Sequence, residues 1–372
     1  MKLLRNISEN LLKGRAIVRI DLNSKDNWRL LSASKTLKLL SKKSRTVLIL
    51  SHNGRPNLKD SADFKKLSLE SRAKDISKLL HKKVIFLRSI SDAEKQLAKS
   101  KKGSVFLLEN LRFDSGENKN DATLAKKLAF LGDFYVNEAF SVSHRANASI
   151  VSITKFLPSF AGFGFESEVG NLSKIVANPK EPLVVILGGG KSSDKVRVIK
   201  NLKNITKWFL LGGASANTLL YLRGSDVGKS LRETDIKILA DMKPLLKLSS
   251  VLLPFDCKAQ DGAILDIGEM TSQEYASKIG EARTIIWAGP LGLFEKKKFS
   301  SGSLAVAKAI AQNRKCFSVA GGGETVEFIR KNKLTKNFGF ISTGGGAMLE
   351  FLAGKKLPGI EALNKNGKTN RT

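Results

Sequence analysis

The chain has 372 residues, of which 42% are hydrophobic and 7% aromatic, and a formal net charge of +30 from 64 basic and 34 acidic residues. That length exceeds one ordinary α/β core and suits two, and the apolar content excludes a disordered chain. No stretch approaches the ~18 apolar residues of a membrane span, and residues 1–10 lack the apolar run of a secretion signal, so a cytoplasmic protein with no membrane partner is expected.

Cys257 and Cys316 lie far apart without a CxxC pattern, and His52, His81 and His144 show no zinc-ligand spacing. A disulfide scaffold and a zinc site are excluded on those grounds. The lysines come in short runs, such as Lys42–Lys43, Lys82–Lys83 and Lys101–Lys102, spread along the chain. They read as a solvated basic surface that also draws in anionic substrates. With no zinc-finger spacing and no RNA-binding aromatic signature, a nucleic-acid partner is not expected.

Strand-like runs alternate with amphipathic helical stretches, the pattern of parallel sheets. In the first half the strands are expected at Ala16–Ile20, Thr46–Leu50, Val84–Leu87, Val105–Leu108 and Phe134–Val136. The rhythm breaks at Pro158–Gly162. A connector helix follows, with Val169, Leu172, Ile175 and Val176 on one face, ending at Asn178–Pro179. The second half restarts with Leu183–Leu187, then Trp208–Leu211, Val251–Leu253, Thr284–Trp287, Cys316–Ala320 and Phe338–Ile341. The fold class is α/β: two Rossmann-like three-layer domains, each with a parallel sheet, joined by a hinge helix. The expected division is 1–160, with a tail 353–372 returning to it, and 161–352.

Ligands of such sheets bind where the loops at the strands' carboxyl ends converge. In the first half these ends carry Asp21 and Asn23, His52 and Arg55, then Glu109, Asn110 and Arg112, with His144 and Arg145 following the fifth strand. Planar guanidiniums suit carboxylate and phosphate oxygens, so a small polyanion is the expected ligand. In the second half the ends carry Gly188–Gly190, Gly212–Gly213, Gly321–Gly323 and Gly344–Gly346, each where a helix would begin. Glycines allow close backbone approach, and helix N-termini offer free amides to phosphates, so a nucleotide is expected there. The Walker pattern fails, because Val185 stands where its first glycine would be, and no GxGxxG opens the first strand. No histidine or cysteine has a nucleophile's setting. If the acceptor is already an anion, no proton need be removed, and alignment with charge neutralisation is enough.

The motifs, in their order along nearly the whole chain, resemble phosphoglycerate kinase. Val18-Arg19-Ile20-Asp21-Leu22-Asn23 resembles that family's first strand and substrate loop, and Ser51-His52-Asn53-Gly54-Arg55-Pro56 its SHxGRP motif. Glu109-Asn110-Leu111-Arg112-Phe113 matches ENLRF, and Asn137-Glu138-Ala139-Phe140 with Ser143-His144-Arg145-Ala146 resembles NDAF…AHRA. Leu187 to Lys191 with Asp194-Lys195, Trp287 to Glu295, Gly321 to Thr325 and Ile341 to Ala347 resemble ILGGAKxxDK, WNGPxGxFE, GGGDT and ISTGGGA.

The resemblance implies reversible, Mg2+-dependent phosphoryl transfer from 1,3-bisphosphoglycerate to ADP, giving 3-phosphoglycerate and ATP, in glycolysis. It implies that Asp21, Asn23, Arg29, His52, Asn53, Gly54, Arg55, Arg112 and Arg145 hold the triose. Arg29 and Lys191 would be catalytic, bracketing the transferred phosphoryl group. The nucleotide would meet Gly189, Lys191, Lys195, Gly212, Gly213, Glu295, Gly322, Gly323, Glu324 and Thr325, with Glu324 serving Mg2+. It also implies a monomer that closes about a hinge. The chain departs from the family pattern at Ala288, in place of the WNGP asparagine, at Glu324 and Glu138, in place of aspartates, and in a shortened loop after Asn23. Two other readings stay open: a non-catalytic nucleic-acid-binding protein on a kinase scaffold, motivated by the charge, and a kinase for another small carboxylate.

Overall fold

The computed structural model describes residues 1–24 and 26–368. It divides into two compact units, one comprising Met1–Val169 with the segment from Lys356 onward, the other Gly170–Lys355.

The first unit is built on six strands: β1 (Arg15–Arg19), β2 (Thr46–Leu50), β3 (Val84–Leu87), β4 (Ser104–Leu108), β5 (Phe134–Asn137) and β6 (Ser159–Ala161). Their order is β3-β4-β2-β1-β5-β6 and every pairing is parallel. A parallel sheet is covered on both faces, so its strands read as unbroken apolar runs. In β2 all five residues are buried. Alternate side chains feed opposite cores. Val18, Val47, Ile49 and Leu107 pack with Leu37, Leu40 and Ile76, while Ile17, Leu48, Phe106 and Tyr135 pack with Leu97, Leu124 and Leu128.

The second unit carries β7 (Leu183–Leu187), β8 (Trp208–Leu211), β9 (Val251–Leu252), β10 (Cys257–Gln260), β11 (Ala263–Ile267), β12 (Thr284–Ala288), β13 (Phe317–Gly321) and β14 (Phe340–Ile341). Six form a parallel sheet ordered β14-β13-β12-β7-β8-β9, and β10 and β11 form an antiparallel pair. Each glycine cluster precedes or opens a helix: Ser193–Leu202, Gly213–Leu222, Gly323–Lys331 and Gly346–Leu352.

Three features differ from the sequence reading. The break at Pro158–Gly162 contains β6, whose pairing with β5 is prepared when Pro158 accepts from the Tyr135 amide at 2.9 Å. The β10–β11 pair has no apolar run to announce it, because it is half-buried at best along most of its length. The boundary between units falls within the helix Phe163–Ala177 rather than ahead of it. Glu138 holds the first turn of that helix, accepting from the Gly164 and Phe165 amides at 3.2 and 3.0 Å.

The tail forms a helix, Pro358–Lys368, on the first unit. Gly359 donates to the Ser143 carbonyl at 2.9 Å, and the Asn366 amide donates to the Thr154 carbonyl at 2.6 Å. The last four residues of the expected tail, 369–372, lie outside the described residues.

In open α/β sheets the ligand crevice lies where neighbouring strands lead to opposite sides. That point is between β1 and β5 in the first sheet and between β7 and β12 in the second.

Candidate functional site

At the first switch point β1 ends in Arg19 and hands the chain to Asp21 and Asn23. Asp21 is buried. It accepts from Arg29 at 2.7 Å, from the Asn23 amide at 2.8 Å and from the Ser141 hydroxyl. Burial works against its charge, but His52, Arg29, Ser141 and Asn23 outweigh burial and hold the carboxyl at about 2. Arg29 sits in the short helix Trp28–Ser32 and also donates to the Asn23 carbonyl at 3.3 Å.

His52 is 1% exposed, with Arg19 3.0 Å from its Nδ1. A guanidinium can only donate, so Nδ1 accepts and the proton of a neutral ring sits on Nε2. Burial, then the nearby Arg19, keeps the ring well below its ordinary pKa. Nε2 is buried and has no partner among the described residues, and the same is true of Arg29 Nε. Both are donors awaiting an acceptor.

The loop after β2 is pinned from both sides. The Asn53 amide donates to Asn110 Oδ1 at 3.1 Å, the Gly54 amide donates to Asn23 Oδ1 at 2.9 Å, and Arg112 donates to the Gly54 carbonyl. Gly54 has φ +62°, and a Cβ there would meet Leu67 at 2.7 Å. Burial, with Arg145 and Arg19 nearby, lowers Arg112 to about 10. Arg145 is half-buried beside His144, and Arg55 is exposed. Four guanidiniums (Arg19, Arg29, Arg112, Arg145) and two carboxylates, Asp21 and Glu117, thus interact as one group around His52. The excess is positive.

At the second switch point the parts are backbone. Gly213, at φ +57°, lies against Gly189, whose carbonyl a Cβ on Gly213 would meet at 2.7 Å. A Cβ on Gly289 would stand 2.2 Å from the Gly188 carbonyl. These glycines therefore let three strand-end loops pack on one another, a need separate from any ligand. They open onto a cavity of about 260 Å³. Gly189, Gly213, Glu295 and Glu324 line it, with Leu231, Leu265 and Leu293 as apolar wall.

Lys195 is 7% exposed and its pKa is lowered by burial, against which Asp194 and Glu324 act, while Lys191 adds to the lowering. Lys191, Lys195 and Glu324 thus form one charged group beside the cavity. Gly212 is held against Leu291. Gly322 has φ +95° and precedes the helix that Gly323 opens. Thr325 is fully buried and accepts from the Gly289 amide at 2.7 Å, which fixes the turn after β12.

A family model described as phosphoglycerate kinase matches residues 7–355. A phosphoglycerate kinase of Thermosipho africanus is 40% identical over 95% of this chain and 96% of its own. The solved phosphoglycerate kinase of Coxiella burnetii is 34% identical, covers 98% of this chain and 99% of its own, and superposes with a TM-score of 0.83. That of Pyrococcus horikoshii gives a TM-score of 0.87 at 29% identity, covering 99% of this chain and 100% of its own. The chain belongs to the phosphoglycerate kinase family. It is a phosphotransferase with a carboxyl acceptor, and its reaction is the glycolytic transfer between 1,3-bisphosphoglycerate and ADP.

Against the phosphoglycerate kinase pattern, Ala288 ends β12 at the switch point, buried between Leu187 and Gly321. The motif reading passed over Arg19, Glu117, Ser141 and Ser149 as site residues. Glu117 accepts from the Ser149 hydroxyl at 2.7 Å, and Ser149 accepts from Arg19 Nε at 2.9 Å, so the pair orients the guanidinium that faces His52. Only a charge buried inside an apolar strand, Arg19 in β1, signalled this in the sequence.

Proposed function

We propose that the first unit's arginine edge binds the triose and the second unit's glycine edge binds ADP or ATP. The carrying observation is the buried Nε2 of His52, which has no partner among the described residues and lies among four guanidiniums and two carboxylates. A ligand bearing both a carboxylate and a phosphate satisfies that donor and offsets the charge. Asp21, Asn23, Asn53 and Gly54 shape this pocket, while Arg29, Arg55, Arg112 and Arg145 take the anionic groups.

In the second unit the apolar wall of the cavity fits a base and Glu295 a ribose hydroxyl. Gly189, Gly212, Gly213, Gly322 and Gly323 form the turns and helix starts that face phosphates, Thr325 holds the turn after β12 behind them, and Lys195 adds charge. Among the described residues no three His, Cys, Asp or Glu side chains gather into a metal cluster. Mg2+ commonly takes one or two carboxylates plus substrate phosphates, a role Glu324 can fill beside Lys195. When bound, Mg2+ neutralises charge on the nucleotide phosphates.

Arg29 and Lys191 act on the transferred phosphoryl group, neutralising the negative charge on its oxygens. The acceptor is already an anion in either direction, so no side chain has to move a proton. Transfer requires the two ligands to meet, and we include closure about the helix Phe163–Ala177 in the proposal. A cytoplasmic monomer completes it.

The test is a coupled assay of the full chain with ATP, Mg2+ and 3-phosphoglycerate. ADP release that depends on 3-phosphoglycerate supports the assignment. Folded protein that turns over a different small carboxylate faster, or none, overturns it.

A further inference from the structure

A row of cations crosses the first sheet on the edge opposite its arginines. Because all six strands are parallel, every strand begins on that edge. Lys82 and Lys83 precede β3, and Lys101 and Lys102 precede β4. Lys42, Lys43 and Arg45 precede β2, and Lys13 precedes β1. Each of these side chains is exposed. The order β3-β4-β2-β1 sets the loops side by side, and at ~4.8 Å per strand step the row runs about 14 Å before its side chains extend it.

Hydrogen bonds tie these loops into one surface. The Gly103 amide donates to the Arg45 carbonyl at 2.7 Å, the Arg45 amide donates to the Gly14 carbonyl at 3.0 Å, and Lys82 Nζ donates to the Ser41 carbonyl at 2.6 Å. The acid that opens β5, Asp133, is taken up by Arg15, which donates from Nε at 3.1 Å and from Nη2 at 2.7 Å. Helix ends explain part of the charge. Ser34–Lys43, Arg72–Leu80, Ile90–Ala98 and Ala122–Phe130 finish here, and four C-terminal dipoles of about −0.5 each still leave most of the lysines unmatched.

The row continues into aromatics. Phe130, ahead of β5, is 75% exposed, and Phe156, ahead of β6, is 40% exposed. Isolated apolar side chains on a surface are ordinary. Two aromatics at the end of a cation row form the combination that binds single strands, in which charge tracks the backbone and rings stack bases.

We propose that this amino-terminal edge binds single-stranded nucleic acid, with the lysines on its phosphates and Phe130 and Phe156 against its bases. The surface belongs to the first unit, and none of its residues is assigned to triose or nucleotide. It gives part of the +30 charge a partner, where the sequence alone suggested solvated lysines.

The probe is a fluorescein-labelled oligouridylate of about 12 nucleotides, followed by anisotropy from about 50 to 200 mM salt, because phosphate contacts are salt-sensitive. The full chain is held in saturating 3-phosphoglycerate and MgATP. One variant carries Lys43→Glu, Lys83→Glu, Lys101→Glu and Lys102→Glu. A control carries Lys237→Glu, Lys243→Glu, Lys247→Glu and Lys308→Glu, an equal charge change on the second unit. The edge variant is expected to bind at least about tenfold more weakly and to flatten the log–log salt slope by about 3, near 0.7 per lost phosphate contact. The control should stay close to the parent.

Phe130→Ala should weaken oligouridylate about tenfold and leave a duplex of equal length unaffected. Unchanged kinase turnover in each variant reports an intact fold. Equal loss in the edge variant and the control, no binding in the presence of saturating 3-phosphoglycerate and MgATP, or binding to phosphatidylserine vesicles as tight as to oligouridylate would each overturn the proposal. So would a Phe130→Ala protein that binds the single strand normally.

Discussion

In the proposed assignment the carboxyl edges of the two sheets both meet phosphates, yet they are made from different parts of the chain. The first edge works through side chains: Arg29, Arg112 and Arg145 on a frame set by Asp21, Asn110 and Gly54. The second works through backbone, with Gly189, Gly213 and Gly289 packed so closely that a methyl group on Gly213 or Gly289 would collide with a neighbouring carbonyl. A ligand that varies little can be met by fixed charges at defined positions. A polyphosphate chain is met by amides at helix starts, with Lys191, Lys195 and Glu324 as the few charges beside them. The first edge is therefore vulnerable to loss of one cation, the second to changes in the loops' shape and in the few groups that aim charge.

The largest expected effect follows from removing one cation of the arginine edge. Arg29→Ala should lower kcat on the order of 10³-fold, the scale of an arginine that neutralises a transferring phosphoryl group, with little change in thermal stability. Steady-state kinetics on the variant checks this, and a kcat within tenfold of the parent would move the key charge to another residue. Ala288→Asn works in the opposite sense. An amide at the end of β12 restores a donor at the second switch point and should raise kcat by about tenfold or more, since one positioned donor can be worth 10²-fold. No gain would show that the turns after β7, β12 and β13 already supply that contact.

The smallest effect concerns the link between the units. Burial pushes Glu138 up to about 7, more than its bonds from Thr36, Gly164 and Phe165 pull it down. Its native pKa lies above that of an unfolded glutamate, so the folded state holds the proton longer. Stability from this group is therefore full below the unfolded value and falls as pH rises towards 7. Glu138→Gln removes that dependence. Its melting temperature should gain a few degrees on the parent between pH 5 and 8. Parallel melting curves for the two proteins would remove the titrating carboxylate from the account.

Much of this was legible in the sequence, for physical reasons. Strands buried on both faces, such as Thr46–Leu50 and Leu183–Leu187, announce themselves as apolar runs. The arginines and glycines at their ends are placed by the same regularity. β6 was not legible, because it is three residues long behind a proline and owes part of its cover to the distant tail helix through Asn366. The half-exposed β10–β11 pair had no pattern to read. Arg19 was hidden as a site residue because it lies within β1, and its partners Glu117 and Ser149 come together only in the fold. The buried hydroxyl of Thr325 shows the converse: a motif position expected at the phosphates holds the turn of Gly289.

The division of labour between the edges is tested most directly by crossed titration calorimetry. Arg112→Gln and Lys195→Gln are each titrated with 3-phosphoglycerate and, separately, with MgATP. Arg112→Gln should lose triose affinity and keep that for nucleotide, and Lys195→Gln should do the reverse. Unchanged 3-phosphoglycerate binding by Arg112→Gln, or loss of both ligands in either folded variant, would contradict the assignment of one ligand to each edge.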